Sequence, residues 1–319
     1  MAHHPNTACP AKKTSIGGQA LIEGIMMRGP QKTAMAVRNP EGKIVLESWP
    51  TQTGFKAKIF KLPFIRGIFN FIDSMRFGYK CLMRSAEIAG LEDEEPPKDG
   101  RASKGIGQVG MNILMVISAV LGVVLALFLF MYLPVQLYSW TAKAIPALDN
   151  HRFLRSLCEG VLRIAIFLGY MLLVTLMKDI RRTFQYHGAE HKTIFCYEHG
   201  LPLTVENVRK ERRFHPRCGT SFMVLMLIVG IFISMFISPD INPLLRSLIK
   251  LAMLPLTVGI GYELIKLAGR HDNWLTRVIS APGVWMQHIT VLEPTDDMIE
   301  CAIAAFKEVV PEDERSDNW

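Results

Sequence analysis

The sequence lacks charged residues over two long stretches, which is rare in a soluble protein of this size. No Asp, Glu, Lys, Arg or His occurs between Lys104 and Lys143, or between Arg217 and Asp240. A helix rises about 1.5 Å per residue, so about 20 apolar residues cross the roughly 30 Å hydrocarbon core of a bilayer. Both stretches pass this test. A buried helix of a soluble protein is the alternative for one such stretch taken alone.

Two further apolar blocks are less complete. Val161–Met177 is apolar except for Arg163, and Leu251–Tyr262 is uncharged but reaches spanning length only with its neighbours. The second of these blocks contains a proline and two glycines, which favours a kinked helix. The sequence therefore predicts a mainly α-helical membrane protein with about four transmembrane helices, together with a small cytoplasmic α+β unit built from the N- and C-terminal segments.

A signal peptide and paired cysteines are also missing. Residues 1–50 contain no apolar core next to a small-residue cleavage site, so we expect insertion to rely on the later helices. None of the cysteines forms a CxxC pair, which argues against a disulfide framework and fits a reducing compartment. The six cysteines are Cys9, Cys81, Cys158, Cys196, Cys218 and Cys301.

The distribution of basic residues predicts the orientation. The segment Lys178–Arg217 carries nine Lys and Arg, whereas 143–163 carries four and 240–250 carries two. Basic loops stay on the cytoplasmic side of a membrane, so four spans place this loop and both termini in the cytoplasm. The net charge of +7 then indicates contact with the lipid bilayer. We expect no specific nucleic-acid binding, because the basic residues flank the spans and form no aromatic-interleaved stripe.

The segments outside the spans have distinct predicted structures. Helical spacing of apolar residues over 64–86 predicts an amphipathic helix, either in the membrane interface or packed on the protein's own core. In the C-terminal tail we predict a strand over Trp285–Leu292 and a helix over Asp296–Val310. The predicted order is a disordered segment 1–15, a cytoplasmic β unit 16–54, an interfacial helix 55–90, an acidic linker 91–104, a four-span domain 105–268 with the basic loop 178–217, and a strand–helix tail 269–319.

The sharpest chemical motif lies in the basic loop. His187 and His191 are four residues apart, a spacing that places two imidazoles on one face of a helix within reach of a single metal ion. Glu190 stands between them as a candidate ligand or catalytic base, in the order H-x-x-E-H. The same loop ends in His215 and Cys218, which are further candidate ligands for zinc or another divalent transition metal.

One acidic residue near the membrane adds to these candidates. Glu263 is expected near the cytoplasmic end of the fourth span, where a carboxylate is costly unless it is paired or ligated. A closed ligand set of His187, His191, His215 and Cys218 would be structural zinc. An open set with Glu190 free, and with Glu263 as a candidate third ligand, would be catalytic. The alternative is a purely structural polar cluster, in which Glu263 pairs with a lysine or arginine.

A glycine-rich run near the N-terminus is the second motif. Gly17–Pro30 contains four glycines around Glu23 and Arg28, which indicates tight turns and close backbone approach. It lacks the Gly-Lys-Ser/Thr ending of a phosphate loop. Glu23 and Arg28 could line a site, but the favoured interpretation is a structural ion pair.

Together these motifs resemble the bacterial DUF1385 family of YqhQ-like membrane proteins. The resemblance implies a membrane protein whose relatives are often described as metal-dependent enzymes, and it implies no substrate. The matching segments are Gly17–Pro30, Tyr186–Glu198 (YHGAEHKTIFCYE), His215–Phe222 (HPRCGTSF), Gly261–Lys266 (GYELIK) and Pro282–Phe306 (PGVWMQHITVLEPTDDMIECAIAAF).

Three functions follow as hypotheses. The first is a metal-dependent hydrolase that acts on lipid or peptide at the cytoplasmic face, with Glu190 as the catalytic group. The second is a non-enzymatic scaffold or assembly factor that binds other membrane proteins and has a structural zinc or a polar cluster. The third, a transporter, is least favoured, because the sequence contains no inverted repeat and one intramembrane acid.

Overall fold

The computed structural model describes residues 13–51, 62–91, 108–145, 152–238, 240–270, 273–311 and 317. The described chain is mainly helical and contains one four-stranded sheet. It divides into a sheet unit (Met1–Asp93, Leu172–Leu225 and Gly261–Trp319) and a helical unit (Glu94–Met171 and Met226–Ile260). The predicted disorder of 1–15 and the predicted linker 91–104 fall mostly outside the described residues.

The elements follow one another along the chain in this order: β1 (Gly17–Leu21), β2 (Gly24–Arg28), β3 (Lys32–Arg38), β4 (Ile44–Pro50), α1 (Ile65–Ile88), α2 (Gln108–Leu127), a π-helical segment (Phe128–Tyr132), α3 (Leu133–Ala144), α4 (Arg152–Val174), α5 (Lys178–Glu198), α6 (Val205–Lys210), α7 (Gly219–Ser234), α8 (Pro243–Ala252), α9 (Leu254–Arg270), α10 (Trp274–Thr290) and α11 (Asp296–Val309).

The sheet is an antiparallel meander with strand order β1-β2-β3-β4. A turn at Asn39–Gly42, residues that favour turns, connects β3 to β4. There the Gly42 N–H donates to the Asn39 carbonyl at 2.9 Å, and Gly42 has a φ of +79°, which glycine adopts without strain. The turn fixes the register of β3 with β4, in which Met35 lies opposite Glu47; on its other side Met35 lies opposite Met26 of β2.

Both faces of the sheet are covered. Side chains alternate along a strand, so Ile25 and Met27 point to one face while Met26 points to the other. The first face packs against α11 and α5, where Phe306 and Met298 are fully buried. The second face packs against α1 around Cys81. The hypothesis that the two ends of the chain form one α+β unit therefore agrees with the contacts within the sheet unit.

Helix α1 confirms the amphipathic helix predicted over 64–86, but its apolar stripe is not the buried one. The sheet unit covers a face of small residues that includes Gly78, Cys81 and Ser85. An added Cβ on Gly78 would overlap the Gln19 side chain, so glycine permits this close approach. Ile72 and Met75 remain 49% and 57% exposed. The helix thus packs on the protein's own core through one face and presents an apolar face outward.

The predicted strand over Trp285–Leu292 is wrong, because helix α10 continues through this segment to Thr290. The helix begins with a capping box in which the Asn273 side chain accepts from the Thr276 N–H at 2.9 Å. Its Gly283 lies against Ser221, so a run rich in β-formers is held as helix by tertiary packing. The predicted helix over Asp296–Val310 is confirmed as α11, with Thr295 at its N-cap.

Two helices are long and apolar enough to cross a membrane: Val116–Ala144 and Phe153–Val174. Helices α8 and α9 are bent by 48° at a break and would make a third crossing if they count as one span. Helix α7 is apolar but has only 16 residues, or about 24 Å at 1.5 Å per residue. The described residues thus contain two or three such helices, against about four predicted.

The described cysteines are all free, namely Cys81, Cys158, Cys196, Cys218 and Cys301. This agrees with the expectation from their spacing. Four of them are buried, and Cys218 lies where α7 begins.

Candidate metal site

Helix α5 brings the two histidines of the H-x-x-E-H motif together. His187 and His191 are one helical turn apart, and their ring centroids lie 4.5 Å from each other. Asp179 in the first turn favours the start of this helix. Gly188 lies between the histidines, where an added Cβ would overlap the Leu292 carbonyl oxygen. The glycine therefore lets the segment after α10 approach the histidine-bearing face.

Gly188→Ala should destabilise the protein by about 1–3 kcal/mol through overpacking against a backbone atom. The higher helix propensity of alanine offsets at most about 1 kcal/mol of this. Thermal unfolding in mild detergent measures the effect. Gly17→Ala is the control, because no atom lies within 4 Å of its added Cβ. Equal unfolding temperatures for the two variants would contradict the close contact at Gly188.

Cys218 completes a group of three ligand atoms with the two histidines. Its Sγ lies 3.1 Å from His187 Nε2, and the three candidate ligand atoms all lie within 4.8 Å of one another. Cys218 and His191 are buried, and His187 is half-buried. Two imidazoles and a thiolate at this separation are a donor set that suits zinc.

Backbone carbonyls orient both imidazoles. His187 Nδ1 lies 3.0 Å from the Thr290 carbonyl oxygen, and His191 Nδ1 lies 2.5 Å from that of Arg213. A carbonyl oxygen only accepts, so each Nδ1 carries the hydrogen when the ring is neutral. In the neutral rings the Nε2 atoms are then the ones that can bind a metal, and His187 Nε2 faces Cys218 Sγ. Carbonyls that hold the second ring nitrogen in this way are typical of metal-ligating histidines.

Charge interactions within the group change the pKa of Cys218 and of His187. Burial opposes ionisation of the Cys218 thiol, but the adjacent His187 and His191 lower its pKa well below the usual value. Burial likewise disfavours the His187 imidazolium, but the Cys218 thiolate raises its pKa to about 9. At neutral pH and without metal, the pair is therefore a Cys218 thiolate and a His187 imidazolium, and metal binding would release the proton from His187 Nε2.

Glu190 is buried beside these three residues without belonging to the ligand group. Its Oε1 accepts a hydrogen bond from the Gly18 N–H at 3.0 Å. Its Oε2 has no hydrogen-bond partner in the part of the chain that the structure describes. Burial raises the pKa of Glu190, and the two histidines oppose this rise. A raised carboxyl pKa suits a group that must take and return a proton near neutral pH.

His215 lies next to the ligand group but is not part of it. Its ring packs on Phe195 at 4.7 Å and lies 5.6 Å from the His191 ring. The Nε2 of His215 is 3.7 Å from a carboxylate oxygen of Glu198. Burial lowers the pKa of His215 to about 4, and the Glu198 hydrogen bond opposes this shift. His215 is therefore neutral at pH 7.

Glu263 was a candidate third ligand, but in the structure its carboxylate has other partners. Its carboxylate accepts hydrogen bonds from Arg66 Nε at 2.7 Å and from the Phe64 N–H at 3.3 Å. It is absent from the ligand group formed by the described residues. The structural alternative holds for this residue, but its partner is an arginine on α1.

Glu23 and Arg28 do not form the predicted ion pair with each other. Glu23 pairs with Arg182 of α5 at 2.5 Å, and it sits in the hairpin turn with a φ of 49°. Arg28 lies 3.8 Å from Asp73, and its guanidinium stacks 5.7 Å from the Phe77 ring. Each residue therefore has a different ion-pair partner, and Arg28 also lines a pocket.

A pocket lies on the α1 side of the sheet, where Met26 and Phe77 belong to its wall. It has a volume of about 430 Å³, and Gly18 belongs to its wall. Because the Gly18 N–H also donates to Glu190, one residue both lines the pocket and contacts the carboxylate. An added Cβ on Gly18 would lie 2.9 Å from Glu190 Cδ. The other residues that line the pocket are Ser15, Gly17, Gln19, Met26, Arg28, Gly29, Pro30, Ser74 and Phe77.

Sequence reasoning missed Glu198 and Arg217, which form a buried ion pair beside the site. Glu198 Oε1 also accepts from the Thr14 N–H at 2.9 Å. Arg217 precedes Cys218, so this pair holds the segment that carries the thiolate. A glutamate and an arginine 19 residues apart gave no periodic signal that could have paired them.

The comparisons with known proteins agree with this arrangement of motifs. The sequence profile of the family described as "Protein of unknown function (DUF1385)" matches residues 62–312. The chain belongs to the DUF1385 family. It is 36% identical over 301 residues to "Uncharacterized protein YqhQ" of Bacillus subtilis (strain 168). The aligned region covers 93% of this chain and 92% of that relative. No solved structure matches the chain. The predicted family membership is confirmed.

Proposed function

We propose that this member of the DUF1385 family is a membrane-bound, metal-dependent hydrolase. In the proposal, His187, His191 and Cys218 hold zinc or a similar transition metal, and Glu190 is the catalytic base. One observation carries it. Three metal-binding atoms lie within 4.8 Å of one another, next to a buried carboxylate oxygen that has no partner among the described residues.

The three donor atoms would leave one coordination position of a bound zinc ion open for a reaction. Zinc takes four ligands, and three protein ligands leave one position for water or substrate. When bound, zinc would lower the pKa of a water molecule and polarise a carbonyl or phosphoryl group. Glu190 would accept the proton on Oε2, while the Gly18 N–H holds Oε1 in place. The carbonyls of Thr290 and Arg213 would keep both imidazoles oriented throughout.

The surroundings favour a substrate that is presented at a membrane surface. Gly18, whose N–H contacts Glu190, and Arg28 line a pocket on the α1 side of the sheet. Helix α1 of the same unit exposes Ile72, Met75 and Tyr79. Exposed apolar side chains on an amphipathic helix bind the membrane interface. We therefore propose a lipid or peptide substrate at the cytoplasmic face of a bacterial plasma membrane, with α7 and the bent α8–α9 pair as the third and fourth crossings.

Metal content of the purified full-length protein tests the proposal. Elemental mass spectrometry on wild type in mild detergent should find close to one transition-metal ion per chain. His191→Ala should lose it, because one of three ligands is removed, and Glu190→Gln should retain it. His288→Ala is the matched control, since His288 is exposed on α10. Wild type without metal, after chelator-free purification with added zinc, would overturn the proposal.

The second candidate is a scaffold with structural zinc. His215 favours it, because its ring lies 5.6 Å from His191 and a small shift would supply a fourth ligand. Cobalt substitution separates the two functions. An open position should bind added azide and change the cobalt absorption spectrum, whereas a closed set should leave the spectrum unchanged. The scaffold also predicts a stable protein complex after gentle detergent extraction.

A further inference from the structure

The helical unit contains a second cluster of ionisable side chains, which consists of arginine, lysine and glutamate and contains no histidine or cysteine. Helix α4 carries Arg155, Glu159 and Arg163 at intervals of four residues, and α8 carries Arg246 and Lys250 at the same interval. Residues four apart share one face of a helix. None of the five is more than 8% exposed.

Glu159 lies at the centre of this cluster. Its carboxylate accepts from Arg155 Nε at 3.1 Å, from Arg246 Nε at 3.0 Å and from Lys250 Nζ at 2.5 Å. Arg246 also donates to the carbonyls of Ile237 and Ser238. One carboxylate thus serves three of the four cations, and the cluster has three more positive than negative charges.

Arg163 is the cation that the carboxylate does not reach. In the described part of the chain it makes no hydrogen bond or ion pair, and its buried Nε has no partner. An added Cβ on Gly230 would lie 3.6 Å from Arg163 Nη1, so the guanidinium lies beside this glycine of α7. A buried charge without a partner is strongly unfavourable, and its usual compensation is an opposite charge.

We propose that this cluster binds a phosphate group, with Arg163 as its principal ligand. A guanidinium presents five N–H donors in a planar fork that matches phosphate oxygens. Lys250 supplies a second charge, because one carboxylate oxygen leaves it further N–H donors. Arg246 is a positioning residue, since Glu159 and backbone carbonyls hold it. The phosphate belongs either to a lipid headgroup or to a free anion.

The location of the cluster admits both sources. Helices α2 and α4 expose large apolar side chains that include Leu121, Val123 and Phe153. Such a surface fits lipid tails, whose headgroup could then reach the cluster. The residues concerned lie in the helical unit and are separate from the histidine site in the sheet unit. The inference is thus independent of the proposed hydrolase.

Ligand titration of the full-length protein in mild detergent tests the proposal. The probes are inorganic phosphate, phosphatidic acid and phosphatidylcholine, with binding followed by native mass spectrometry and by thermal unfolding. Wild type should bind phosphate, phosphatidic acid or both, and Arg163→Gln should bind at least ten-fold more weakly. Lys143→Gln is the matched control, since Lys143 is exposed in the same unit. A response to phosphate alone assigns a free anion, and a response to phosphatidic acid alone assigns a lipid.

Two further measurements keep the test decisive. Arg163→Gln without ligand should unfold at or above the wild-type temperature, because it removes a buried uncompensated charge. Arg163→Lys should retain weaker binding, since it keeps the charge and loses the fork. Absence of binding to every phosphate probe by wild type would overturn the proposal, as would equal binding by Arg163→Gln. Metal content should not change in Arg163→Gln, so failure here does not affect the hydrolase proposal.

Discussion

Glu198→Ala should lower the stability of the sheet unit by about 3–5 kcal/mol, the usual effect of removing one partner of a buried ion pair. Glu198 is 1% exposed, and its carboxylate faces Arg217 and accepts from the Thr14 N–H. Alanine would leave the Arg217 charge buried without this carboxylate. Thermal unfolding should fall by roughly 6–20 °C, at about 2–4 °C per kcal/mol for a unit of this size.

The same variant should also bind less metal, because Arg217 adjoins Cys218. Glu206→Ala is the control. Glu206 forms an exposed pair with Lys210 four residues away, and such pairs contribute about 0.3–0.5 kcal/mol. If Glu198→Ala and Glu206→Ala unfold at the same temperature, the buried pair does not stabilise the segment that carries the thiolate.

The pH dependence of this effect has a definite sign. Burial opposes ionisation of Glu198, but His215 and Arg217 together lower its pKa. A carboxyl whose pKa is lowered on folding stabilises the protein above its unfolded pKa of about 4.3. This stabilisation is lost as the pH falls through the folded pKa. The difference in stability between wild type and Glu198→Ala should therefore be largest near neutral pH and should narrow below about pH 4.

Zinc should raise the unfolding temperature of wild type and should have little effect on Cys218→Ser. At free zinc 1,000-fold above its dissociation constant, a ligand that binds only the folded state stabilises it by about 4.1 kcal/mol. This corresponds to roughly 8–16 °C. Cys218→Ser removes the soft thiolate donor, whose Sγ lies 3.1 Å from His187 Nε2. Differential scanning fluorimetry in detergent measures both shifts.

Magnesium is the control for the zinc experiment. It prefers six oxygen ligands in octahedral geometry, so two imidazoles and a thiolate should not bind it. A similar rise in the unfolding temperature of wild type with magnesium would indicate a non-specific effect of divalent cations. An undiminished zinc shift in Cys218→Ser would place the bound ion elsewhere than at the histidine site.

Several elements were predictable because their signals are local. The turn Asn39–Gly42 follows from residues that favour turns, and the start of α11 follows from Thr295 with two aspartates in the first turn. The juxtaposition of His187 and His191 follows from helical spacing alone. In each case the interacting groups lie within about four residues, so the chain between them has little freedom to place them otherwise.

Other features depended on choices between chemically equivalent partners. Glu263 could have paired with several basic residues, and packing selected Arg66, 197 residues away. The segment Trp285–Leu292 has strand-forming residues, and the contact of Gly283 with Ser221 favours helix. The apolar stripe of α1 was compatible with either the membrane interface or the protein's own core, and the small residues around Gly78 permit the closer approach to the sheet.

Local sequence patterns were sufficient to predict the apolar blocks, the hairpin turn, the helix that carries His187 and His191, and the family to which the chain belongs. Three features became visible only in the folded chain: Cys218 joins the histidines, Glu190 keeps an oxygen without a partner among the described residues, and Glu159 faces more cations than it can neutralise. The physical reason is the range of the interactions. Periodicity and turn chemistry act over a few residues, whereas ligand groups and charge clusters depend on which distant surfaces exclude water together.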